Sequence, residues 1–402
     1  MKIVQKFGGT SVADISRIKS VAEKVKSEVD RGHSVVVVVS AMAGVTNMLD
    51  GYCKEFDDRF NLREYDVVVS AGEQITSGLL SIALQNISIK SRSLLGWQVP
   101  IITKESHSKA RIDSIDSLKI LSSLNEGEVV VVPGFQGVNK DGNITTLGRG
   151  GSDISAVAIA VSINADRCDI YTDVDGVYTS DPRIVPEAKK IDKITYEEML
   201  EMASLGAKVL QTRSVELAMK FNIPLRVLSS FTGTQGTLIC SEEAVMEKEI
   251  VSGITHSIDE AKITLVSVDD RPGIAATIFD TLSDDNINVD MIVQNVAEDG
   301  STDLTFTVSK VDLLLAKNAV ENNQDIKWRK ILTDDNVSKV SVIGVGMKSN
   351  VGVAKTMFKA LAEKNINIEV ISTSEIKVSV LIKEKFTKEA VRCLHSAFGL
   401  DH

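Results

Sequence analysis

The stretch Thr145-Thr146-Leu147-Gly148-Arg149-Gly150-Gly151-Ser152-Asp153 places glycines, a fixed cation, a hydroxyl and a carboxylate at the head of an apolar run, Ile154 to Ala165. A helix N-terminus offers unpaired N–H groups and the positive end of its dipole, and glycines remove the side chains that would keep an anion away. Phosphate or carboxylate binding is the chemistry implied. A lone Gly-Gly is equally a tight turn, but Arg149 and Asp153 beside it and a second glycine loop, Lys6-Phe7-Gly8-Gly9-Thr10-Ser11, favour a ligand. Lys6 would act as a point charge on a transferring phosphate, with the N–H groups of Gly8 and Gly9 on its oxygens. The Walker pattern GxxxxGK[ST] is absent, which disfavours a P-loop fold.

Glu73, in Ser70-Ala71-Gly72-Glu73, supplies a carboxylate that complements the Arg149 guanidinium. Together they would receive a zwitterion, Glu73 on an ammonium and Arg149 on a carboxylate, so an amino acid is the natural substrate. Thr172, Asp173, Tyr178, Asp181, Arg183 and Lys208 form a further polar set suited to the base, ribose and phosphates of a nucleotide.

The elements that must carry these loops repeat one unit, strand then polar loop then helix. Lys2 to Lys6 leads into a helix with Ile15, Ile18, Ala22, Val25 and Val29 on one face, and Ser11 to Asp14 reads as its capping box. Ser34 to Val39 is a strand followed by a loop to Asn47 and a helix near Met48 to Phe60. Further strands are expected at Asp66 to Val69, Val129 to Val132 and Asp169 to Tyr171, with a helix from the first of these loops to about Leu84. Thr195 and Glu198 open a helical region reaching Phe221, and strands follow at Pro224 to Leu228 and Thr237 to Ile239. Near-continuous apolar strands alternating with amphipathic helices imply an α/β domain whose mostly parallel sheet is covered on both faces. Ligands of such sheets bind beyond the carboxyl ends of the strands, where each polar loop lies.

Composition sets the limits. A chain of 402 residues implies two or three domains, and no apolar run approaches the ~18 residues of a membrane helix. The N-terminus lacks a signal-peptide pattern, so a cytoplasmic location is expected. Cys53, Cys168, Cys240 and Cys393 have no CxxC spacing and the five histidines are scattered, so free thiols and no protein-built metal site are expected. A net charge of −10 argues against nucleic acid as partner.

After a charged stretch at Ser241 to Glu249 comes an internal repeat. Pro272 to Asn295 aligns without gaps on Val351 to Ser374, with nine of 24 positions identical, including Gly273/Gly352, Phe279/Phe358 and Asn286-Ile287-Asn288 over Asn365-Ile366-Asn367. Each copy reads as a small α+β unit that buries its sheet by pairing with copies of itself; a purely structural dimerisation module is the competing reading.

The five motifs Lys6 to Ser11, Ser70 to Glu73, Gly134-Phe135-Gln136-Gly137, Thr146 to Asp153 and Thr172 to Arg183 together resemble the motif set of the aspartate kinases, in the amino acid kinase superfamily, and the repeat resembles their paired ACT domains. The compact form without a fused homoserine dehydrogenase is the best match. The resemblance implies a three-layer αβα catalytic domain at 1–240, a linker and first regulatory strand at 241–262, and two ferredoxin-like (βαββαβ) ACT domains at 263–335 and 336–402. It implies phosphorylation of the aspartate side-chain carboxylate to 4-phospho-aspartate, toward lysine (through diaminopimelate), threonine and methionine. Lys6 and Asp153 would be catalytic; Ser40, Thr46, Glu73, Arg149, Gly150, Gly151 and Ser152 would hold aspartate. Lys6, Gly8, Gly9, Thr172, Asp173, Tyr178, Asp181, Arg183 and Lys208 would hold ATP with Mg2+. Asp270, Gly273, Ile274, Ala275, Asn288 and Gln294, with Asn350, Val351, Asn367, Ile368, Ser374 and Glu375 in the second copy, would bind threonine or lysine as feedback effectors. Assembly would be a homodimer or higher oligomer through the ACT domains, with Met246 placed to start a separate regulatory subunit. A glutamate, N-acetylglutamate or uridylate kinase, or a non-catalytic amino acid sensor, are the alternatives.

Overall fold

The computed structural model describes residues 1–56, 59–204, 209–244, 249–296 and 301–401. They fall into two units, one of residues 1–177 (as far as described), 190–204 and 209–244, the other of residues 178–189, 249–296 and 301–401. Met246 and Lys208 lie outside the described residues.

The first unit opens with β1 (Lys2–Phe7), α1 (Ile15–Asp30), β2 (Ser34–Val39), α2 (Val45–Lys54), α3 (Leu62–Val69) and α4 (Ala71–Asn86). It continues with β3 (Ser91–Ser93), β4 (Ile101–Thr103), β5 (Ile112–Ile115), α5 (Leu118–Asn125), β6 (Val129–Pro133), β7 (Gln136–Val138), β8 (Ile144–Thr146) and α6 (Gly151–Ser162). Then come β9 (Arg167–Thr172), β10 (Lys193–Thr195), α7 (Tyr196–Ser204), α8 (Thr212–Phe221), β11 (Leu225–Ser229) and β12 (Thr237–Cys240). Eight strands form one sheet in the order β10-β12-β11-β9-β1-β2-β6-β3. Among the described residues of this sheet only the β11/β12 pairing is antiparallel. The central strands are buried along nearly their whole length, as the run Val35 to Val39 requires.

Hydrogen bonding past the strand ends gathers the loops on one edge. Ser40 N–H donates to Phe7 O (3.0 Å), Gly134 N–H to Val39 O (2.9 Å), Gly8 N–H to Tyr171 O (3.2 Å) and Ser230 N–H to Thr172 O (2.8 Å). A second sheet, β5-β4-β7-β8, includes Gln136 and Gly137 from the expected loop and feeds β8 directly into the glycine stretch.

Three local expectations are corrected. Asp66 to Val69 is not a strand but the end of α3, capped by Asn61, whose side chain accepts from Arg63 N–H. Asp66 and Val69 face inward while Val67 and Val68 are outside, a spacing of three that only a helix provides. Ser11 does not cap α1; Asp14 does, accepting from Arg17 N–H at 2.8 Å, because Gly9–Val12 is a separate 3-10 turn. The second helix starts at Val45, before Met48, because Gly44 at φ 81° turns the chain into it. The expected box at Thr195 is present, with Glu198 N–H donating to Thr195 Oγ1 and Thr195 N–H to Glu198 Oε2. By length and composition Leu62–Asn86 would suffice to cross a membrane, yet 56% of its apolar window is buried within the chain, and Asp66 and Glu73 are among its most buried residues.

The second unit contains β13 (Gly253–Asp269), α9 (Ile274–Asp284), β14 (Ile292–Val296), β15 (Ser301–Val308), α10 (Leu313–Asn322), β16 (Lys330–Ile343), α11 (Val353–Glu363), β17 (Val370–Thr373), β18 (Lys377–Lys383) and α12 (Thr387–Ala397). They form one antiparallel sheet, β14-β15-β13-β16-β18-β17. The two repeats share it, because the long strands β13 and β16 each serve both copies. Their matched turns have matched geometry: Gly273 (φ 92°) and Gly352 (φ 102°) open α9 and α11, and Asn286 (φ 57°) and Asn365 (φ 54°) close them in the left-handed region. Each copy has its own apolar core, and the core of the second includes Ile184 and Val185.

Candidate active site

A cavity of about 710 Å³ opens at the loop edge of the first unit. Lys6, Gly9, Ser40, Thr46, Glu73 and the whole stretch Arg149 to Asp153 line it, so the expected aspartate set and the catalytic pair share one space.

Lys6 is delivered by the central strand β1, and its Nζ lies 2.6 Å from Asp153 Oδ1, both side chains nearly buried. Asp153 sits in the first turn of α6, where the helix dipole also favours a carboxylate. Such a pair fixes the amine in a site that a substrate would dry further, and there the charge acts most strongly. A Cβ at Gly8 would stand 3.4 Å from Lys6 Nζ, in ordinary contact with the amine. Gly148 (φ 77°) and Gly150 (φ 72°) make the left-handed turn into α6, and a Cβ at Gly150 would lie 1.7 Å from Gln211 Cγ. Both conformation and space therefore demand glycine at 150.

Glu73 is the third residue of α4 and is 3% exposed. Its Oε2 has no hydrogen-bond partner among the described residues. Burial pushes the carboxyl up to about 7, against the opposing pull of the Glu73 and Ala41 backbone N–H groups. A buried carboxyl without a cation is costly to ionise, so the site holds an acceptor that a ligand ammonium would satisfy. Arg149 lies exposed on the cavity rim.

Sequence reasoning overlooked Asp66 and Lys109. Asp66 is fully buried and accepts from Thr146 Oγ1 (2.6 Å), Thr146 N–H (3.1 Å) and Ser108 N–H (3.0 Å), with His107 Nδ1 at 2.8 Å. It ties the loop that carries Ser108 and Lys109, both cavity residues, to the strand entering the glycine stretch. Its partners are 41 to 80 residues away in sequence, so no local signal could have pointed to it. The cation Lys109 has a local signal only in the polar run Glu105 to Lys109.

The nucleotide set is divided. Thr172 and Asp173 end β9 in the first unit, with Thr172 Oγ1 donating to Asp173 Oδ1 at 3.1 Å. Tyr178, Asp181 and Arg183 belong to the second unit. Arg183 forks onto Asp181 through Nη2 (2.8 Å) and Nε (3.0 Å), and holds that carboxylate below its usual value. The guanidinium is 89% exposed, so this pair is weak and can exchange for a phosphate. Lys208 is not described. Among the described residues no group of three or more His, Cys, Asp or Glu is placed to hold a metal.

The expected effector residues are solvent-facing for the most part. Asp270, Asn288 and Gln294 are exposed in the first copy, as are Asn350, Val351, Asn367, Ser374 and Glu375 in the second. Gly273 caps α9, whose first residues are the buried Ile274 and the half-buried Ala275, and Ile368 is half-buried. Gln294 lies on the edge strand β14.

The profile of the amino acid kinase family matches residues 1–229, and that of the ACT domain matches 254–324 and 340–398. The chain is 56% identical over 401 residues to the aspartate kinase of Pseudomonas putida, covering 99% of this chain and 98% of the relative. Its fold is similar to that of E. coli aspartokinase III in complex with aspartate and ADP (R-state), with a TM-score of 0.82, 29% identity and 99% of both chains covered. The same protein in complex with lysine and aspartate (T-state) matches with a TM-score of 0.78 at 28% identity, over 98% of this chain and 99% of the other. The glycine loops, the lysine and the paired repeats thus have a common explanation: the chain belongs to the aspartate kinases of the amino acid kinase family.

Proposed function

We propose that the protein transfers the γ-phosphoryl group of ATP to the side-chain carboxylate of L-aspartate, forming 4-phospho-L-aspartate. The observation that carries the assignment of the site is the buried Glu73 carboxyl, whose Oε2 has no hydrogen-bond partner among the described residues, in the same cavity as Lys6 and Arg149. Glu73 receives the substrate ammonium and Arg149 the α-carboxylate, with Ser40, Thr46, Ser152 and the glycines 150 and 151 completing the fit. The side-chain carboxylate is then left for reaction. A carboxylate is already a nucleophile at neutral pH, so no general base is needed; the barrier is repulsion between two anions. Lys6, held by Asp153, offsets that charge as it develops.

Thr172, Asp173, Tyr178, Asp181, Arg183 and Lys208, with the glycine loop 8–9, are proposed to hold ATP. Mg2+ would arrive with the nucleotide and would screen its phosphate charge; among the described residues no group of three or more His, Cys, Asp or Glu is placed to hold it without the nucleotide. The limits 1–240, 241–262, 263–335 and 336–402 are retained for the catalytic domain, linker and two ACT domains. Feedback by lysine or threonine at the ACT positions is proposed, supported by the lysine complex of the related aspartokinase III. A homodimer or larger assembly through the ACT domains, in the cytoplasm, is proposed, as small repeated α+β units of this kind bury surface by pairing with copies of themselves.

Initial rates with ATP and a panel of aspartate, glutamate, N-acetylglutamate and UMP, with the acyl phosphate trapped as hydroxamate, test the reading. Aspartate should be the sole efficient acceptor. Turnover of another acceptor at a comparable kcat/KM, or none with aspartate, would reject it.

A further inference from the structure

The segment Tyr178 to Lys189 leaves the first unit after Val177 and rejoins it at Lys190, yet it packs as part of the second unit. It carries Asp181 and Arg183, two of the residues assigned to the nucleotide. Its anchorage is built from both main chain and side chains. Ile254 N–H donates to Thr179 O at 2.7 Å, and Arg392 Nε donates to Ile184 O at 2.8 Å. Ile184 and Val185 are 7% and 2% exposed, inserted among Val340, Val342 and Leu394 of the second repeat.

The tightest polar feature of this anchorage is a three-residue chain. Thr179 Oγ1 lies 2.9 Å from His395 Nε2, and His395 Nδ1 lies 2.5 Å from Asp401 Oδ1. His395 is completely buried near the end of α12, and Thr179 is 8% exposed. The neutral tautomer with hydrogen on Nδ1 satisfies every member. Nδ1–H donates to Asp401, Nε2 accepts from the Thr179 hydroxyl, and Thr179 Oγ1 accepts from Lys189 N–H at 3.0 Å. That last bond closes the base of the segment, beside Thr179 N–H donating to Lys189 O at 2.8 Å. A buried imidazole with both nitrogens engaged is held in one orientation, and the hydroxyl it holds is two residues from Asp181. Neither His395 nor Asp401 has a part in the phosphoryl transfer derived above.

We propose that the Thr179–His395–Asp401 chain is a positioning device for the nucleotide, by which the C-terminal helix of the regulatory unit sets the placement of Asp181 and Arg183. The inference rests on the assignment of those two residues to ATP. Its consequence is that the regulatory unit acts on nucleotide affinity through a covalently continuous segment, independently of the aspartate pocket.

The test uses the full-length protein and reads KM for ATP, KM for aspartate, kcat and the Kd of ADP by calorimetry. Thr179→Val removes the hydroxyl at nearly constant volume. It should raise KM for ATP and Kd for ADP about fivefold or more, the scale of one lost buried hydrogen bond, with kcat and aspartate KM within about twofold. Thr179→Ser should restore wild-type values, and Asp401→Ala, at a partly exposed terminal position, should shift the same constants in the same direction without threatening the fold. Arg183→Ala is the control for the underlying assignment. If it leaves the ATP and ADP constants unchanged, the nucleotide assignment fails and the proposal with it. If Arg183→Ala weakens ATP while Thr179→Val and Asp401→Ala do not, or if they depress kcat and both KM values together, the positioning role alone is overturned.

Discussion

The pocket carboxyl makes the sharpest prediction. With Glu73 pushed up to about 7 by burial, only the ionised fraction can receive an ammonium without first losing a proton. At pH 6 about one site in eleven is ionised, at pH 8 about ten in eleven, so KM for aspartate should fall about tenfold over that range and level off above it. Glu73→Gln should abolish this dependence. It should also raise KM at pH 8 by about ten- to a hundredfold, since a hydrogen bond to a charged group contributes about 1.5–3 kcal/mol. The same shift has a stability sign. The folded value lies above the ordinary 4.5, so between pH 4.5 and about 7 the folded state binds more protons than the unfolded state, and stability falls as pH rises through that window. Removing the charge should therefore make the unliganded Gln variant more stable than wild type at pH 8, by at most about 3 kcal/mol, and no different at pH 4.5. The assays are initial rates against aspartate and ATP at pH 6, 7 and 8, and urea denaturation at pH 4.5 and 8. Any titration of the substrates is common to both proteins, so their difference isolates Glu73. Parallel pH profiles for wild type and variant, or equal effects on aspartate and ATP, would refute the reasoning.

Other predictions concern the remaining parts of the site. Lys6→Ala should lower kcat by about 10²–10³-fold, as for loss of one preorganised charge-stabilising group, with KM for ATP nearly unchanged in steady-state rates. Asp66→Ala strands the Ser108 and Thr146 N–H groups, each costing about 1–3 kcal/mol when buried, so the denaturation midpoint should drop by the equivalent of about 3 kcal/mol and aspartate KM should rise. Gln294→Ala and Asn367→Ala should each weaken inhibition by lysine or threonine about tenfold in dose–response curves, leaving uninhibited kcat and KM alone.

The glycine loops were legible because their chemistry is local: Gly148 and Gly150 need left-handed backbone within a few residues of the cation and carboxylate they serve. The internal repeat was legible for a similar reason, since Gly273/Gly352 and Asn286/Asn365 mark the same two turns in each copy. What escaped was set by distant partners. Val67-Val68-Val69 has strand-like composition, but the pull of Thr146 and Ser108 on Asp66 settles the segment as helix. The stretch Tyr178 to Lys189 reads by its motif as part of the nucleotide set, whereas Ile184 and Val185 bury into the core of the second repeat, an allegiance decided by residues such as Ile254, Val340 and Leu394 far downstream. Likewise β13 and β16 are each long enough for two repeats, and which half pairs with which copy depends on register rather than composition.

A crystal structure of the protein with aspartate and ADP tests the central claim most directly. The account predicts the substrate ammonium within about 3.2 Å of the Glu73 carboxylate, its α-carboxylate forked by Arg149, and its side-chain carboxylate facing Lys6 Nζ. Aspartate bound with its ammonium away from Glu73, or in a cavity that Lys6 does not reach, would contradict it.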